Sequence, residues 1–266
     1  MSADPAPEAG GAPLLIACAL GIERFALRGA GPGAAAGPMT VLRTGMGPQA
    51  AERAVTRALT GRTGESGERR GVSGEPMERR GVSGESGEPR TAVIATGFCA
   101  GLAPGMHPGD LVVADETRDP TGRTVCTGTR ILADALSHLI PGPLPGGPRR
   151  AVHIGPVVGS DHVVRGAERA ALHSTGAIAV DMESAATLRT AVCHGVRAVA
   201  AVRVVVDAPE HELVRIGTLR GGISAFRVLR TVLPAFFHWH RSSLLPGGEL
   251  DGHASPPDHP GRDVSL

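Results

Sequence analysis

The sequence predicts an α/β fold, a single three-layer α/β/α domain with a large mixed central sheet, and three observations carry that reading. Apolar runs rich in Val, Ile, Leu and Ala recur near residues 14, 41, 92, 111, 152, 176 and 197, and stretches of helical composition separate several of them. Two of these runs, Thr175 to Val180 and Val196 to Val206, stop at acids: Asp181 and Glu183 after the first, Asp207 after the second. The 266 residues, 41% of them hydrophobic, can bury one good-sized core, which favours one domain with floppy segments over two.

Taken in order, residues 1–12 are mostly Ala, Pro and Gly and are expected to be disordered, which places the domain at residues 13–241. Leu14 to Ala19 reads as a buried first strand with Glu23, Arg24 and Phe25 at its exit. Val41-Leu42-Arg43 is a short second strand running into Thr44-Gly45-Met46-Gly47-Pro48, and Gln49 to Leu59 has helical composition. Strand, Gly turn and helix in that order can aim backbone N–H groups at an anion, so Gly45 and Gly47 mark either an anion site or a plain tight turn. Within residues 61–90 the stretch Glu68 to Glu75 returns almost intact as Glu78 to Glu85. With hardly an apolar side chain to bury, this low-complexity segment reads as a disordered loop insertion.

Ala92 to Ala95 resumes the core as a strand and meets Thr96 to Leu102, read as a turn of small residues where backbone can approach a ligand. Gly109-Asp110 leads into a strand from Leu111, residues 141–148 form a Gly/Pro loop, and Val152 to Val158 is a strand ending at Gly159-Ser160-Asp161-His162. From Gly222 to Arg241 the spacing predicts a helix kinked at Pro234, carrying Phe226, Phe236, Phe237 and Trp239, four of the six aromatic residues in the chain. That helix either packs on the sheet or, with Arg227, Arg230 and Arg241, forms an apolar lip for a greasy substrate or a bilayer surface. His238 and His240, two residues apart, fall on different helical sides and do not form a metal pair. Residues 242–266 are expected to be a disordered tail.

A net charge of +1 gives no electrostatic case for nucleic acid, and the arginines, which stand in a chain without lysine, are scattered. Cys18, Cys99, Cys126 and Cys193 are too far apart in sequence to suggest a metal-ligand pair and are expected to be reduced thiols. The N-terminus lacks the basic region of a signal peptide, and no apolar run reaches the length of a membrane span. A soluble, cytoplasmic protein is expected.

The acids admit two readings. Asp181 can cap the following helix, Glu183 can favour its positive end, and Asp207 can cap a turn. Alternatively Glu183 and Asp207, each ending a buried strand, face one crevice beyond the carboxyl ends of the sheet.

Several stretches together resemble the purine nucleoside phosphorylase and nucleosidase superfamily, most of all its methylthioadenosine/S-adenosylhomocysteine nucleosidase branch. Thr96-Gly97-Phe98-Cys99-Ala100-Gly101-Leu102-Ala103-Pro104 resembles that family's T-G-x-A-G-G-L-A-P turn, and Gly109 to Val113 resembles its G-D-I-V-V strand. Val180-Asp181-Met182-Glu183 resembles V-E-M-E, and Arg203 to Asp207 resembles R-A-I-S-D. Gly45 to Ala51 and the turn Gly159 to Val164 are similar to the hopanoid-associated phosphorylases, which are thought to remove adenine from adenosylhopane.

The resemblance implies cleavage of an N-glycosidic bond, in which positive charge builds on the ribose and negative charge on the base. It implies Asp207 as the general acid that protonates the purine, and Glu23 as the carboxylate that orients water. Glu183 would accept the ribose hydroxyls and Met182 would lie against the sugar, while His162, Val163 and Phe98 fall on the base side. Arg215 or Arg220 would hold Asp207. Phosphate, if it is a co-substrate, would fall to Arg24, Arg43 and the amides at Gly45 and Gly47. No metal or organic cofactor is implied. A homo-oligomer is, and a lipid-linked substrate would add peripheral contact with the inner membrane surface.

Three departures from the family pattern matter. Val206 stands where a serine usually precedes the acid, Phe98 where a small residue is common, and Ala95 where hexameric phosphorylases carry a phosphate-binding arginine. Hydrolysis and phosphorolysis both stay open. So do three functions: adenosylhopane cleavage, ordinary methylthioadenosine or adenosylhomocysteine nucleosidase activity, and a nucleoside-binding sensor without catalysis.

Overall fold

The structure, a computed structural model, describes residues 12–28, 37–67, 91–139, 150–208 and 226–243. The repeat at 68–85, the Gly/Pro stretch, Arg215, Arg220 and nearly all of both predicted disordered termini lie outside the described residues. The elements are β1 (Leu14–Cys18), α1 (Gly21–Arg28), β2 (Met39–Arg43), α2 (Pro48–Gly67), β3 (Ala92–Gly101), β4 (Leu111–Asp119), β5 (Gly122–Val125), α3 (Thr129–Leu139), β6 (Val152–Gly159), α4 (Ala167–Ser174), β7 (Ala179–Asp181), α5 (Ser184–Cys193), β8 (Ala198–Asp207) and α6 (Leu233–Ser243). The α/β class and the large mixed sheet are as the sequence predicts. Three expectations change: Thr96 to Gly101 is not a turn but the second half of β3, β5 is an additional strand, and α2 continues to Gly67, past Leu59.

The sheet closes on itself. β3 pairs with β8 in parallel and β8 with β4 antiparallel; β4 pairs with β6 and β6 with β7 in parallel, and β7 returns antiparallel to β3. These five strands form a ring, with β1 and β2 attached as a parallel wing along the first half of β3, and β5 as a hairpin partner of β4. Strands buried on both faces need continuous apolar sequence, and β1 (LLIAC) and β8 (AVAAVRVVVD) supply it.

The alternation along β3 sorts the core into two faces. Ala92 and Ile94 join Leu14, Ile16, Val202, Leu132, Leu136 and Phe236 on the side covered by α1, α3 and α6. Val93, Ala95 and Cys99 join Leu15, Val55, Leu188 and Val205 on the side covered by α2 and α5. A third small cluster, Leu102, Val164, Ala177 and Val180, with Leu172 of α4 against it, sits where β3 meets β7.

The C-terminal helix is core, not lip. Residues 226–231 are helical and Val232 interrupts them, so Pro234 occupies the first turn of a new helix, where its missing N–H costs no hydrogen bond. Phe236, Phe237 and Trp239 are buried, and the Trp239 indole N–H donates to the Thr127 carbonyl at 2.7 Å. Only Phe226 stays partly exposed, stacked on Phe25 of α1 with ring centroids 6.2 Å apart. Among the described residues no helix is long and apolar enough to cross a membrane.

Candidate active site

On the side of β3 away from β8, β1 pairs with Ala92 to Ala95 and β7 with Ala100 and Gly101, leaving the backbone between them without a strand partner. Buried backbone groups must be satisfied by something. Here side chains do it: the Phe98 N–H donates to Glu23 Oε1 at 3.0 Å, and the Thr96 carbonyl accepts from Arg203 Nη1 at 3.1 Å. The fork between β1 and β7 is therefore lined with ionisable groups because the fold leaves backbone there for them to hold.

Glu23, in the first turn of α1, also accepts the Leu20 N–H at 2.8 Å and is almost fully buried. Glu183, at the N-cap of α5, is buried too and accepts the Gly47 N–H at 2.9 Å from the loop after β2. That loop turns back through Gly47 at φ 87°, a conformation glycine adopts without strain. Arg203, on β8 opposite Gly97, lies between the carboxylates: its Nε donates to Ser184 Oγ at 2.7 Å and pairs with Asp181, which also accepts from the Ser184 hydroxyl and N–H. Asp181 is thus the capping and counter-charge residue of the cluster. Gly97 has no side chain because none fits: a Cβ there would stand 2.6 Å from Glu23 Oε1 and 2.8 Å from Arg203 Nη1.

One buried guanidinium faces three acids. Burial pushes the carboxyl groups of Glu23 and Glu183 above their ordinary range, and Arg203 and the backbone N–H groups pull them back only in part. For Arg203 burial works the other way, but Asp181, Glu183 and Glu23 outweigh it and hold the guanidinium charged. With its acids ionised, a pocket of this charge balance favours a cation developing inside it.

Asp207 ends β8 at an irregularity. The β3 register passes from Cys99↔Val205 to Ala100↔Asp207, so Val206 is an extra residue that turns the following side chain. Asp207 Oδ2 accepts from Arg169 Nη1 at 3.0 Å, and Asp207 Oδ1 is buried with no hydrogen-bond partner. Asp207 and Val180 both register with Ala100, one from each side of β3, while β7 runs opposite to β8. The expected picture of two acids beyond one common row of strand ends is therefore corrected. Chain reversal at β7 carries Glu183 back toward Gly97, and Asp207 stands about three residues, roughly 10 Å, further along β3.

The remaining candidates are placed as follows. Met182 is half-buried beside Glu183, and Phe98 is half-buried with its side chain against the α1/α3/α6 core face. His162 and Val163 occupy the exposed loop after β6, where His162 Nδ1 meets Asp161 at 2.7 Å and Nε2 meets Glu168 at 3.0 Å, hydrogen bonds that raise its pKa. Arg24 is half-buried with an unpartnered Nε, and Arg43 is exposed at the end of β2. Arg169, which no sequence argument singled out, is the observed partner of Asp207. Among the described residues no group of three or more His, Cys, Asp or Glu is arranged to hold a metal ion.

Fold and site together define an α/β protein whose sheet carries a fork of buried carboxylates and a separately anchored aspartate. The profile of the phosphorylase superfamily matches residues 32–233, and the chain belongs to that superfamily. Among solved structures it is similar to the S-adenosylhomocysteine nucleosidase of Streptococcus pyogenes in complex with 5-methylthiotubericidin, with 18% identity, TM-score 0.62, and 87% of this chain and 98% of that one covered. The 5'-methylthioadenosine/S-adenosylhomocysteine nucleosidase of Neisseria meningitidis in complex with methylthio-immucillin-A gives 18% identity and TM-score 0.62 over 85% and 98%. The futalosine hydrolase of Helicobacter pylori gives 13% identity and TM-score 0.60 over 84% and 96%. No curated protein sequence matches.

Proposed function

We propose that this chain cleaves the N-glycosidic bond of an adenine nucleoside, with water as the acceptor. The observation that carries the reading is the order of groups along β3: two buried carboxylates at the fork, then an anchored aspartate about one nucleoside length away. In this reading Glu183 and Met182 hold the ribose. Asp207 delivers a proton to the departing base, and Glu23 orients water and takes its proton as the C1'–oxygen bond forms. The negative fork stabilises positive charge on the sugar ring. His162 and Val163 are assigned to the base side, whereas Phe98, expected there from the resemblance, packs its side chain on the α1/α3/α6 core face and offers its backbone N–H to Glu23.

Water is preferred over phosphate because a phosphate anion would have to bind beside Glu23 and Glu183. One observation favours the other reading: Arg24 has a buried Nε without an acceptor, and Arg43 and the Gly45 amide would join it in a candidate phosphate cradle, which the Gly47 N–H enters only by leaving Glu183. Incubating the protein with adenosine, methylthioadenosine and adenosylhomocysteine, with and without phosphate, separates the two. Adenine released without phosphate supports hydrolysis; release only with phosphate replaces it by phosphorolysis; binding without release leaves a sensor.

The favoured substrate is an adenine nucleoside with a large apolar 5' group, adenosylhopane among them. The support is three exposed apolar side chains close in sequence to fork residues, Ile22 and Phe25 on the same helix as Glu23 and Met46 between Gly45 and Gly47, which are 53%, 71% and 63% exposed. A homo-oligomer and contact with the inner membrane surface of the cytoplasm are proposed with that substrate. Methylthioadenosine or adenosylhomocysteine turned over far better than a lipid-linked nucleoside would transfer the assignment to the ordinary nucleosidases.

A further inference from the structure

We propose that Arg169 is the positioning residue of the proton donor, fixing which oxygen of Asp207 carries the proton and balancing the charge left when it departs. Arg169 sits in the first turn of α4, is 6% exposed, and its guanidinium is held at two points. Nη1 donates to Asp207 Oδ2 at 3.0 Å and Nη2 to the Gly101 carbonyl at 2.9 Å. The two tines of the fork thus grip the last residue of β8 and the last residue of β3, the strands whose register shifts at this point.

The grip leaves the two carboxyl oxygens unequal. Oδ2 is occupied by a cation that cannot accept a proton, and Oδ1 is buried with no partner. A proton delivered to a bound base therefore leaves from Oδ1. As it moves to the purine nitrogen, the electron pair of the breaking C1'–N bond passes into the base, and Asp207 becomes a carboxylate whose charge faces Arg169. A lysine would supply the charge but not two parallel donors in one plane. Glu168, the neighbouring residue, turns outward to His162, so the same helical turn also ties down the loop after β6.

This inference rests on the proposed nucleosidase reading. The test compares wild type, Arg169→Gln, Arg169→Lys, Asp207→Asn and the double variant Arg169→Gln/Asp207→Asn, measuring adenine release from methylthioadenosine alongside thermal unfolding. Expected are a kcat for Arg169→Gln lowered by about tenfold to a hundredfold with KM within about twofold, partial recovery in Arg169→Lys, and a double variant no slower than Asp207→Asn alone. An unchanged kcat in Arg169→Gln overturns the proposal, as does a double variant in which the two losses multiply. Should the glutamine variant not fold, Arg169→Lys decides: kcat below wild type at unchanged KM supports the role, and equal kcat overturns it. Wild type that releases no adenine from any nucleoside refutes the functional reading and this inference with it, whereas an active wild type with an indifferent Arg169 refutes the inference alone.

Discussion

Asp181 and Arg203 form an ion pair in which each side chain is only 1% exposed. Burial this complete makes the two charges interdependent, since removing one leaves the other out of water and without its nearest counter-charge. Arg203→Met should therefore lower stability by about 3–5 kcal/mol in denaturant unfolding. Adding Asp181→Asn should recover part of that loss. A single Arg203→Met variant as stable as wild type would mean that the pair does not hold the fork together.

Gly97 is the second pressure point. Its φ of +136° and the approach of Glu23 Oε1 to 2.6 Å of a Cβ position leave no room for alanine. Gly97→Ala is expected to cost about 1–3 kcal/mol and to displace Glu23 from the Phe98 amide. Calorimetry checks the first expectation and turnover the second. A variant with wild-type Tm and turnover would show that the fork widens freely.

The two acids along β3 should fail in different ways. Asp207→Asn keeps the Arg169 contact through its amide oxygen but cannot protonate a base, so kcat should fall by about 10²–10⁴-fold while nucleoside still binds. Glu183→Gln should mainly raise KM through weaker ribose recognition. Steady-state kinetics and equilibrium binding decide, and an Asp207→Asn enzyme as fast as wild type removes the acid from the mechanism.

Glu183 also carries a pH signature. Burial raises its carboxyl above the ordinary value of 4.5, so its contribution to stability is fully present below that pH and is lost as pH rises through the folded value. Glutamine stays neutral throughout and can keep the Gly47 N–H bond. Glu183→Gln should therefore melt higher than wild type at pH 8, with the gap closing toward pH 4. A gap that is absent or reversed at pH 8 would mean that the ionised group is stabilised on folding.

How much of this was legible in the chain depended on local chemistry. β1, β3 and β8 announced themselves because strands buried on both faces must be apolar throughout. The second half of β3 did not, because Gly97, Ala100 and Gly101 read as a turn. Glycine is there for close approach: a Cβ at Gly101 would stand 2.8 Å from the Met106 sulfur. β5 escaped because it is a four-residue, largely exposed hairpin strand. Asp207 and Glu183 were singled out by strand-end position and family resemblance and Glu23 by resemblance alone, but the groups that hold them were not. Arg169 looks in sequence like one more charge on a helix, and only the fold turns it inward while its neighbour Glu168 faces out. Phe236, Phe237 and Trp239 could be core or lip until the helix was seen to be buried almost all round.

The break in pairing beside β3 gives the protein an internal reporter. A ladder amide surrenders its hydrogen to deuterated solvent only when strands part, but the Phe98 amide is held by a single carboxylate on a short helix. Its isotope exchange should track the state of Glu23, slowing when a ligand seals the fork and quickening when that carboxyl takes up a proton. The neighbouring amides of Val93 and Ala95, locked between flanking strands, supply the reference in the same spectrum.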